Sequence, residues 1–248
     1  MTPPTASSTL SAYDTAVLAD APALYLPLPG PQEPGQQATY HGAPGAALLP
    51  NGDSATVFDG LTQYVEIPDS PELSAATTGQ LTVEAWLRPD TLTFPRTEGT
   101  GYVHWLGKLT YGVGCEWTAR MYSQPNTENR ANRLSGYAFN PAGGLGAGSY
   151  VQEPVTPGAW LHYVLVINTT TRSAAYPSGY VKLYKDGELR DQDSLADYNI
   201  VPARTQAPLR VGSASLRSFF AGAVGKVAVY PAELTAAQIA AHHRAMAS

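Results

Sequence analysis

The sequence predicts an all-β protein that folds as a two-sheet antiparallel sandwich with one short C-terminal helix. Only 14% of its 248 residues are charged, against a usual share of about 25%. It holds 23 glycines and 21 prolines without a collagen-like period, and 15 tyrosines, which favour half-buried strands. This composition excludes a helical bundle, a coiled coil and a charged disordered chain, and the length suits one sandwich domain of about 200–250 residues.

Extended runs, separated by clusters of Gly, Pro, Asn and Asp, recur along the chain at the spacing typical of β-sandwiches. In one of them, Leu81 and Val83 alternate with Thr82 and Glu84, which predicts a strand covered on both faces. The predicted strands are 24–28, 55–67, 80–89, 102–109, 114–123, 133–140, 160–169, 180–192, 209–214 and 221–230.

Local signals identify one hairpin and one helix. Asp186-Gly187 is the dipeptide that favours a tight β-turn. The segment 234–246 is the one predicted helix, because it begins with the spacing of a capping box. We expect the adjacent His242 and His243 to lie at its solvated end rather than to bind a metal ion.

Residues 1–20 are rich in Pro, Ser, Thr and Ala, a composition that buries little apolar surface. We therefore predict an N-terminal arm over 1–20, flexible or docked on a partner, followed by a single domain over 21–248. The start of the chain lacks the basic and apolar regions of a secretory signal, and no stretch approaches the roughly 20 apolar residues that span a bilayer. We expect synthesis in the cytoplasm and a final location outside the cell or on a particle.

Charge and cysteine content limit the partners. The formal net charge is −5 and no basic run occurs, so nucleic acid and anionic membranes are not expected to bind. Cys115 is the single cysteine and cannot form an internal disulfide. The sequence contains no CxxC or HExxH zinc pattern.

Six motifs follow one another in a recognisable order. They are ATVFDGLTQYVEIPDSPEL, LTVEAWLRP, PGAWLHYVLVINTT, GYVKLYKDGEL, LRVGSA and FFAGAVGKVAVYPAELTAAQIAAHH. Together they resemble the laminin G-like module of the concanavalin A-like lectin/glucanase superfamily. The resemblance implies a jelly roll of two antiparallel sheets with a helix beside them. It also implies binding of sugars or proteins more often than catalysis.

The resemblance also implies a structural calcium ion, with Asp59 of the FDG turn as a metal ligand. The family's late strand usually carries an acidic pair, where this chain has Gly225 and Lys226. The change removes oxygen ligands from an ion that prefers six to eight of them. The alternative is that Asp59 only begins a turn, where Asp is favoured for its hydrogen bonds to nearby backbone groups.

No catalytic residues are predicted. The E-x-D-x-E strand of the superfamily's hydrolases is absent, and the carboxylates of 66–72 would not line one face. A lyase would need arginine, glutamate, histidine and tyrosine on one sheet face. RTEG at 96–99 with His104, His162 and Tyr163 echoes this set without the required spacing. A polysaccharide lyase or hydrolase remains the second alternative.

Aromatic and planar polar side chains around the long loop after residue 123 form the predicted ligand site. Rings stack on sugars, and guanidinium and amide groups supply hydrogen bonds. A loop that only pairs its own charges is the alternative, and Trp86 and Trp160 are expected to pack in the core. The predicted binding residues are Trp117, Arg120, Tyr122, Asn126, Asn129 and Arg133.

The sequence thus predicts a non-catalytic carbohydrate-binding or adhesive module of bacterial or phage type, with a glycan or a protein surface as partner. The first alternative is a structural component of a phage or other particle. In that case the arm over 1–20 would dock on neighbouring copies in a homo-oligomer or lattice.

Overall fold

A computed structural model describes residues 10–28, 38–42 and 44–247, and it confirms the all-β sandwich. The helices in this part of the chain are α1 (Ala12–Ala19), α2 (Ala75–Thr78) and α3 (Ala236–Ala245). Short 3-10 turns span Pro71–Leu73 and Leu195–Tyr198. The strands are β1 (Leu24–Leu26), β2 (Thr39–His41), β3 (Gly45–Leu48), β4 (Ser54–Asp59), β5 (Tyr64–Ile67), β6 (Gln80–Pro89), β7 (Tyr102–Thr110), β8 (Gly114–Tyr122), β9 (Leu134–Ala138), β10 (Ala147–Tyr150), β11 (Leu161–Asn168), β12 (Tyr180–Lys185), β13 (Glu188–Ser194), β14 (Leu209–Val211) and β15 (Ala221–Tyr230).

The strands form two sheets, in which all the pairings between strands of the described chain are antiparallel. One sheet has eight strands in the order β13-β12-β11-β6-β15-β4-β3, with β1 also paired to β15. The other has seven strands in the order β10-β9-β8-β7-β14-β5-β2. Three strands that the sequence did not predict, β2, β3 and β10, all lie at sheet edges, where a strand buries little and needs few apolar residues.

The main core lies between the two sheets, and β6 shows how the sequence builds it. Leu81 and Val83 point into this core, whereas Glu84 and Trp86 point to the opposite face of the sheet. All four are buried. This confirms the prediction that the strand is covered on both faces.

Helices α1 and α3 cover the outer face of the eight-stranded sheet. Tyr13 and Val17 from α1 and Ile239 from α3 are fully buried there, in a second apolar cluster with Trp86. The polar centre of this layer is Glu84, which is also fully buried.

Glu84 receives four hydrogen bonds from four different elements. Its Oε1 accepts from the Tyr13 hydroxyl at 2.7 Å and bonds His162 Nε2 at 2.8 Å. Its Oε2 accepts from the Tyr230 hydroxyl at 3.2 Å and from His242 Nδ1 at 2.9 Å. Burial alone would raise the pKa of Glu84, but the hydrogen bonds from the two histidines hold it well below its usual range.

His242 is buried, contrary to the expectation of a solvated helix end. Its Nδ1 faces Glu84, and its Nε2 lies 3.0 Å from Asp20 Oδ2. Because both nitrogens face carboxylates, both must carry a proton, and the ring is an imidazolium. Burial alone would lower the pKa of His242, but Glu84 and Asp20 outweigh it and raise the pKa.

The second half of the predicted arm is part of the domain. Residues 12–19 form α1, which begins with a capping box between Ser11 and Asp14. The Asp14 carboxylate pairs with Lys226 of β15 at 2.6 Å, so this helix is tied to the sheet by charge as well as by apolar contact. Residues 1–9, the rest of the predicted arm, lie outside the described residues.

None of the helices in the described ranges is long and apolar enough to cross a membrane.

We expect His242→Gln to lower the free energy of unfolding by about 1.5–3 kcal/mol, because it removes hydrogen bonds between charged groups. A raised pKa in the folded state stabilises the fold at low pH, and this contribution is lost as pH rises through that pKa. The difference between wild type and variant should therefore be larger at about pH 6 than at about pH 8.5 in urea unfolding.

His243→Gln is the matched control on the same helix. Burial and the neighbouring His162 lower the pKa of His243, so its contribution to stability should change with pH in the opposite direction. The assignment of a charged His242 is contradicted if the two variants show the same pH dependence.

Candidate functional site

A groove on the outer face of the seven-stranded sheet consists of two adjoining depressions. The first, of about 480 Å³ and here named the His104 pocket, is lined by Tyr102, His104, Arg120, Phe139 and the segments 109–115 and 141–144. The second, of about 610 Å³, is named the Arg130 pocket. Tyr102, Arg120, Phe139 and Gly144 line both, so we name the whole the Arg120 groove.

The Arg130 pocket has a more polar lining. Its side chains come from β7 to β10, from β13 and from the loops between them. Besides the four shared residues, they are Gly99, Thr100, Tyr122, Glu128, Arg130, Tyr137, Leu145, Gly146, Gly148, Ser149, Tyr150, Gln152, Asp191, Asp193 and Tyr198.

Neighbouring strands β7 and β8 place the central residues of the groove side by side. In their antiparallel pairing, His104 is opposite Arg120 and Tyr102 is opposite Tyr122. Residues two apart on a strand share a face, so all four side chains belong to one surface of the sheet. The register shifts just after His104, and bulges of this kind often re-aim side chains beside a binding site.

A chain of hydrogen bonds fixes His104 between a carboxylate and a guanidinium. Arg120 Nε donates to His104 Nε2 at 2.7 Å, and His104 Nδ1 bonds Glu98 Oε1. Because the guanidinium can only donate, His104 Nε2 must accept, and the proton of the neutral ring is therefore on Nδ1. The Ser218 hydroxyl also donates to Glu98 Oε1 at 3.1 Å.

The environment keeps this histidine neutral. Burial and the charge of Arg120 lower the pKa of His104 to about 4, against the opposing effect of Glu98. Burial alone would raise the pKa of Glu98, but hydrogen bonds from His104 and Ser218 hold it below its usual value. The chain of hydrogen bonds thus runs from the ionised carboxylate of Glu98 through the neutral imidazole of His104 to the charged guanidinium of Arg120.

Three aromatic rings surround the half-buried guanidinium of Arg120. Its Cζ lies 4.4 Å from the ring centroid of Tyr102, 4.8 Å from that of Tyr137 and 5.3 Å from that of Phe139. At this range the negative faces of aromatic rings attract a cation. Within the described chain, the two η nitrogens of Arg120 have no hydrogen-bond partner.

The Arg130 pocket contains charges of both signs. Arg130 pairs with Glu128 at 3.1 Å, and its Nη1 donates to the Tyr122 and Tyr137 hydroxyls. On β13, Asp191 and Asp193 line the same pocket. Burial and the charge of Asp191 raise the pKa of Asp193.

The structure brings two of the six predicted binding residues into the groove, namely Arg120 and Tyr122. Trp117 does not line the groove. Its side chain is fully buried in the main core, and its Nε1 donates to the Leu73 carbonyl at 3.1 Å. The reason is the two-residue period of β8, which turns Trp117 away from the face that carries Arg120.

The other three predicted residues shape the loop beside the groove and do not line it. Asn126 bonds the carbonyls of Thr100 and Gly101 and so fastens the loop. Asn129 is exposed and has a left-handed backbone, with φ 60°. Arg133 lies 5.5 Å from the Tyr150 ring centroid, at the edge of the Arg130 pocket.

Sequence reasoning missed Tyr102 and Tyr137 as groove residues. It considered His104 and Glu98, the latter within RTEG at 96–99, only as part of a lyase set and put that set aside. The signal for His104 was present, because the two strands joined by the short 111–113 turn must pair as a hairpin. Glu98 lies in a loop, and no period in the sequence places it beside His104.

Asp59 does not fit the calcium site that the resemblance implies. Its oxygens accept hydrogen bonds from the backbone of Leu61, Thr62 and Gln63 and from the Thr62 hydroxyl. Burial alone would raise the pKa of Asp59, but these bonds lower it. Among the described residues, no group of three or more His, Cys, Asp or Glu could hold a metal ion.

Lys226 supplies a cation in the late strand, where the family's acidic pair was expected. Its Nζ pairs with Asp14 Oδ1 at 2.6 Å and with Asp53 Oδ2 at 2.9 Å. The side chain is only 4% exposed, so a single buried ammonium group is shared by these two carboxylates within the fold.

Comparison with known proteins identifies the family. A family model described as the concanavalin A-like lectin/glucanases superfamily matches residues 58–240, more than half of the chain. The chain belongs to this superfamily. The match covers β5 to β15, so it includes every strand that lines the groove of this superfamily member. No curated protein sequence matches the chain.

Solved structures share the fold of this superfamily member. Domain 4 of AbnA, a GH43 extracellular arabinanase from Geobacillus stearothermophilus, was solved in complex with arabinotriose. It is 17% identical, with a TM-score of 0.56 over 83% of this chain and 87% of that chain.

The binding domain of botulinum neurotoxin DC is also similar. In complex with rat synaptotagmin II it is 10% identical, with a TM-score of 0.65 over 92% of this chain and 52% of that chain. In complex with SialylT it is 9% identical, with a TM-score of 0.59 over 85% of this chain and 47% of that chain. This chain thus spans about half the length of the toxin domain, and at these identities the likeness shows the fold alone.

We expect His104 to stay neutral, with its proton on Nδ1, down to about pH 4, because burial and Arg120 disfavour a second proton. Two-bond ¹H–¹⁵N NMR spectra of the imidazole rings from about pH 3 to about pH 8 measure both the tautomer and the midpoint. The signals that are missing from the spectrum of the variant His104→Gln are those of the His104 ring. A midpoint near the ordinary value of about 6.5 would contradict the assigned electrostatics.

We expect millimolar calcium to leave the melting temperature unchanged relative to EDTA, because the oxygens of Asp59 are already used by its own turn. An ion that binds the folded state would raise it. Magnesium at the same concentration controls for ionic strength, and an upward shift specific to calcium would overturn this reading of Asp59.

Proposed function

We propose that this chain is a carbohydrate-binding domain and that the Arg120 groove is its binding site. The observation that carries the proposal is the convergence of aromatic rings and fixed hydrogen-bonding groups on one open face of a rigid sheet. Both depressions have volumes within the range of about 300–1,000 Å³ that small-molecule sites occupy. Sugar rings offer apolar faces for stacking and hydroxyl groups for polar side chains.

The rim of the groove is unusually apolar for a solvent-facing surface. Tyr111 and Val113 border the His104 pocket and are 45% and 53% exposed. Leu145 and Tyr198 border the Arg130 pocket and are 73% and 48% exposed. Exposed apolar side chains around a polar centre are a mark of interaction sites, which supports ligand binding by this face.

The structural neighbours support binding as the activity of this fold. The arabinanase domain was solved with arabinotriose, and the toxin binding domain with SialylT and with rat synaptotagmin II. A glycan is the ligand proposed here, because the groove consists of two concave depressions of small-molecule size rather than a broad flat surface. Display outside the cell or on a particle stays a prediction of the sequence.

Hydrolysis of the glycan is the second candidate function, and one observation favours it. Asp191 and Asp193 line the Arg130 pocket together, and burial and the charge of Asp191 raise the pKa of Asp193. A carboxyl group with a raised pKa beside an ionised one is the combination that acid–base cleavage of a glycosidic bond requires.

We expect Tyr198→Ala to weaken glycan binding by about two- to tenfold without changing the melting temperature, because a stacking ring at the rim contributes about 0.5–1.5 kcal/mol. Full-length protein would first be screened on a glycan array that includes arabino-oligosaccharides. Isothermal titration with the best ligand then compares wild type with variant.

Leu48→Ala is the matched control, since Leu48 is 66% exposed on β3 of the other sheet. Equal loss of affinity in both variants, or binding that Tyr198→Ala leaves intact, contradicts the groove as the site.

The same glycans are assayed for depolymerisation. Release of product that Asp193→Asn abolishes would favour the hydrolase.

A further inference from the structure

The two halves of the Arg120 groove differ in charge. Arg120 is the one charged side chain that lines the His104 pocket within the described chain, since His104 is neutral there. The Arg130 pocket adds Arg130 but also Glu128, Asp191 and Asp193. An anionic group is therefore attracted to the first pocket and repelled from the carboxylates of the second.

The guanidinium of Arg120 is held in one orientation before any ligand arrives. Its Nε is anchored on His104 Nε2, and its Cζ lies 4.4 and 4.8 Å from the centroids of two rings that come from β7 and β9. Only the η nitrogens remain without a partner in the described chain. A fixed cation loses little conformational entropy when it binds, so more of the interaction appears as affinity.

The free part of this guanidinium matches a carboxylate. A guanidinium presents parallel N–H donors that fit the two oxygens of a planar carboxylate in a bidentate pair. Arg120 carries the single positive charge among the described side chains that line the pocket, and a carboxylate carries the single negative charge that pairs with it. Glu98, the acid bonded to His104, does not occupy this position, because its oxygens already accept from His104, Ser218 and Tyr111.

We infer that the His104 pocket binds the carboxylate of an acidic sugar residue through the η nitrogens of Arg120, and that this contact sets the ligand class of the groove. The inference rests on the proposed function. In this arrangement the acidic sugar enters the His104 pocket, and the following sugars extend over the Arg130 pocket, where Tyr122 and Tyr150 line the path.

The test uses pairs of glycans that differ only in the carboxyl group. Pectate, alginate and hyaluronan oligosaccharides are each compared with their carboxyl-reduced neutral counterparts in binding to the full chain. Sulfated neutral oligosaccharides form a further arm, which separates a carboxylate from any other anion. We expect the acidic member of at least one pair to bind about tenfold or more tightly than its neutral counterpart and than the sulfated arm.

Two sets of variants locate the contact. Arg120→Gln should abolish the preference for the acidic member. Because Arg120 also packs in the sheet face, a pair of variants at another residue tests the charge of the pocket while Arg120 stays unchanged. Ala142 is exposed and lines the His104 pocket. Ala142→Asp should weaken binding of the acidic glycan and Ala142→Lys should strengthen it, with melting temperatures unchanged.

The outcomes separate this inference from the proposed function. A preference for acidic members that shifts in opposite directions in the two Ala142 variants supports the inference. Equal binding of acidic and neutral members, sensitive to Tyr198→Ala, overturns the inference and leaves glycan binding in the groove intact. Tighter binding of the sulfated arm overturns the carboxylate assignment. Binding of no glycan in any pair overturns both.

Discussion

The buried carboxylate of Glu84 is the constraint on which the organisation of the domain depends. A fully buried charge is costly unless it is paired and hydrogen-bonded, and all the groups that compensate it come from other elements. Tyr13 lies on α1, His162 on β11, Tyr230 on β15 and His242 on α3. Loss of any one element would leave the carboxylate short of donors, so two terminal helices and three central strands form one cooperative unit.

Arg120 on the opposite sheet shows the contrasting use of a charge. The oxygens of Glu84 are saturated by the protein, whereas the guanidinium of Arg120 is held by His104 and by aromatic rings while its η nitrogens keep their capacity to donate. The first arrangement stabilises the fold, and the second leaves interaction energy available for a ligand. The difference lies in hydrogen-bond satisfaction rather than in burial alone, because both side chains are removed from bulk water to a large extent.

Sequence predicted the central strands well, because strands such as β6 carry the alternation that burial on two faces requires. Edge strands β2, β3 and β10 were missed, since little of their surface is buried. Helix α1 was missed because the composition of 1–20 hid the apolar pair Tyr13 and Val17, four residues apart. At the site, the strand period of β8 places Arg120 with Tyr122 and turns Trp117 to the opposite face, but the predicted binding set included all three because it was chosen by residue type and not by that period. The position of Glu98 depends on a loop that no local pattern specifies.

The compensation of Glu84 has a consequence for where the domain can be cut. The segment that defines the superfamily covers residues 58–240, which excludes Tyr13 of α1 and His242 of α3. A fragment trimmed to that segment would keep β6 with the Glu84 carboxylate but would lose two of its four hydrogen-bond donors. It would also lose α1 and the end of α3, whose apolar side chains cover this face of the sheet. For this chain, we therefore expect the smallest autonomous folding unit to be larger than the segment by which its family is recognised and to include both Tyr13 and His242.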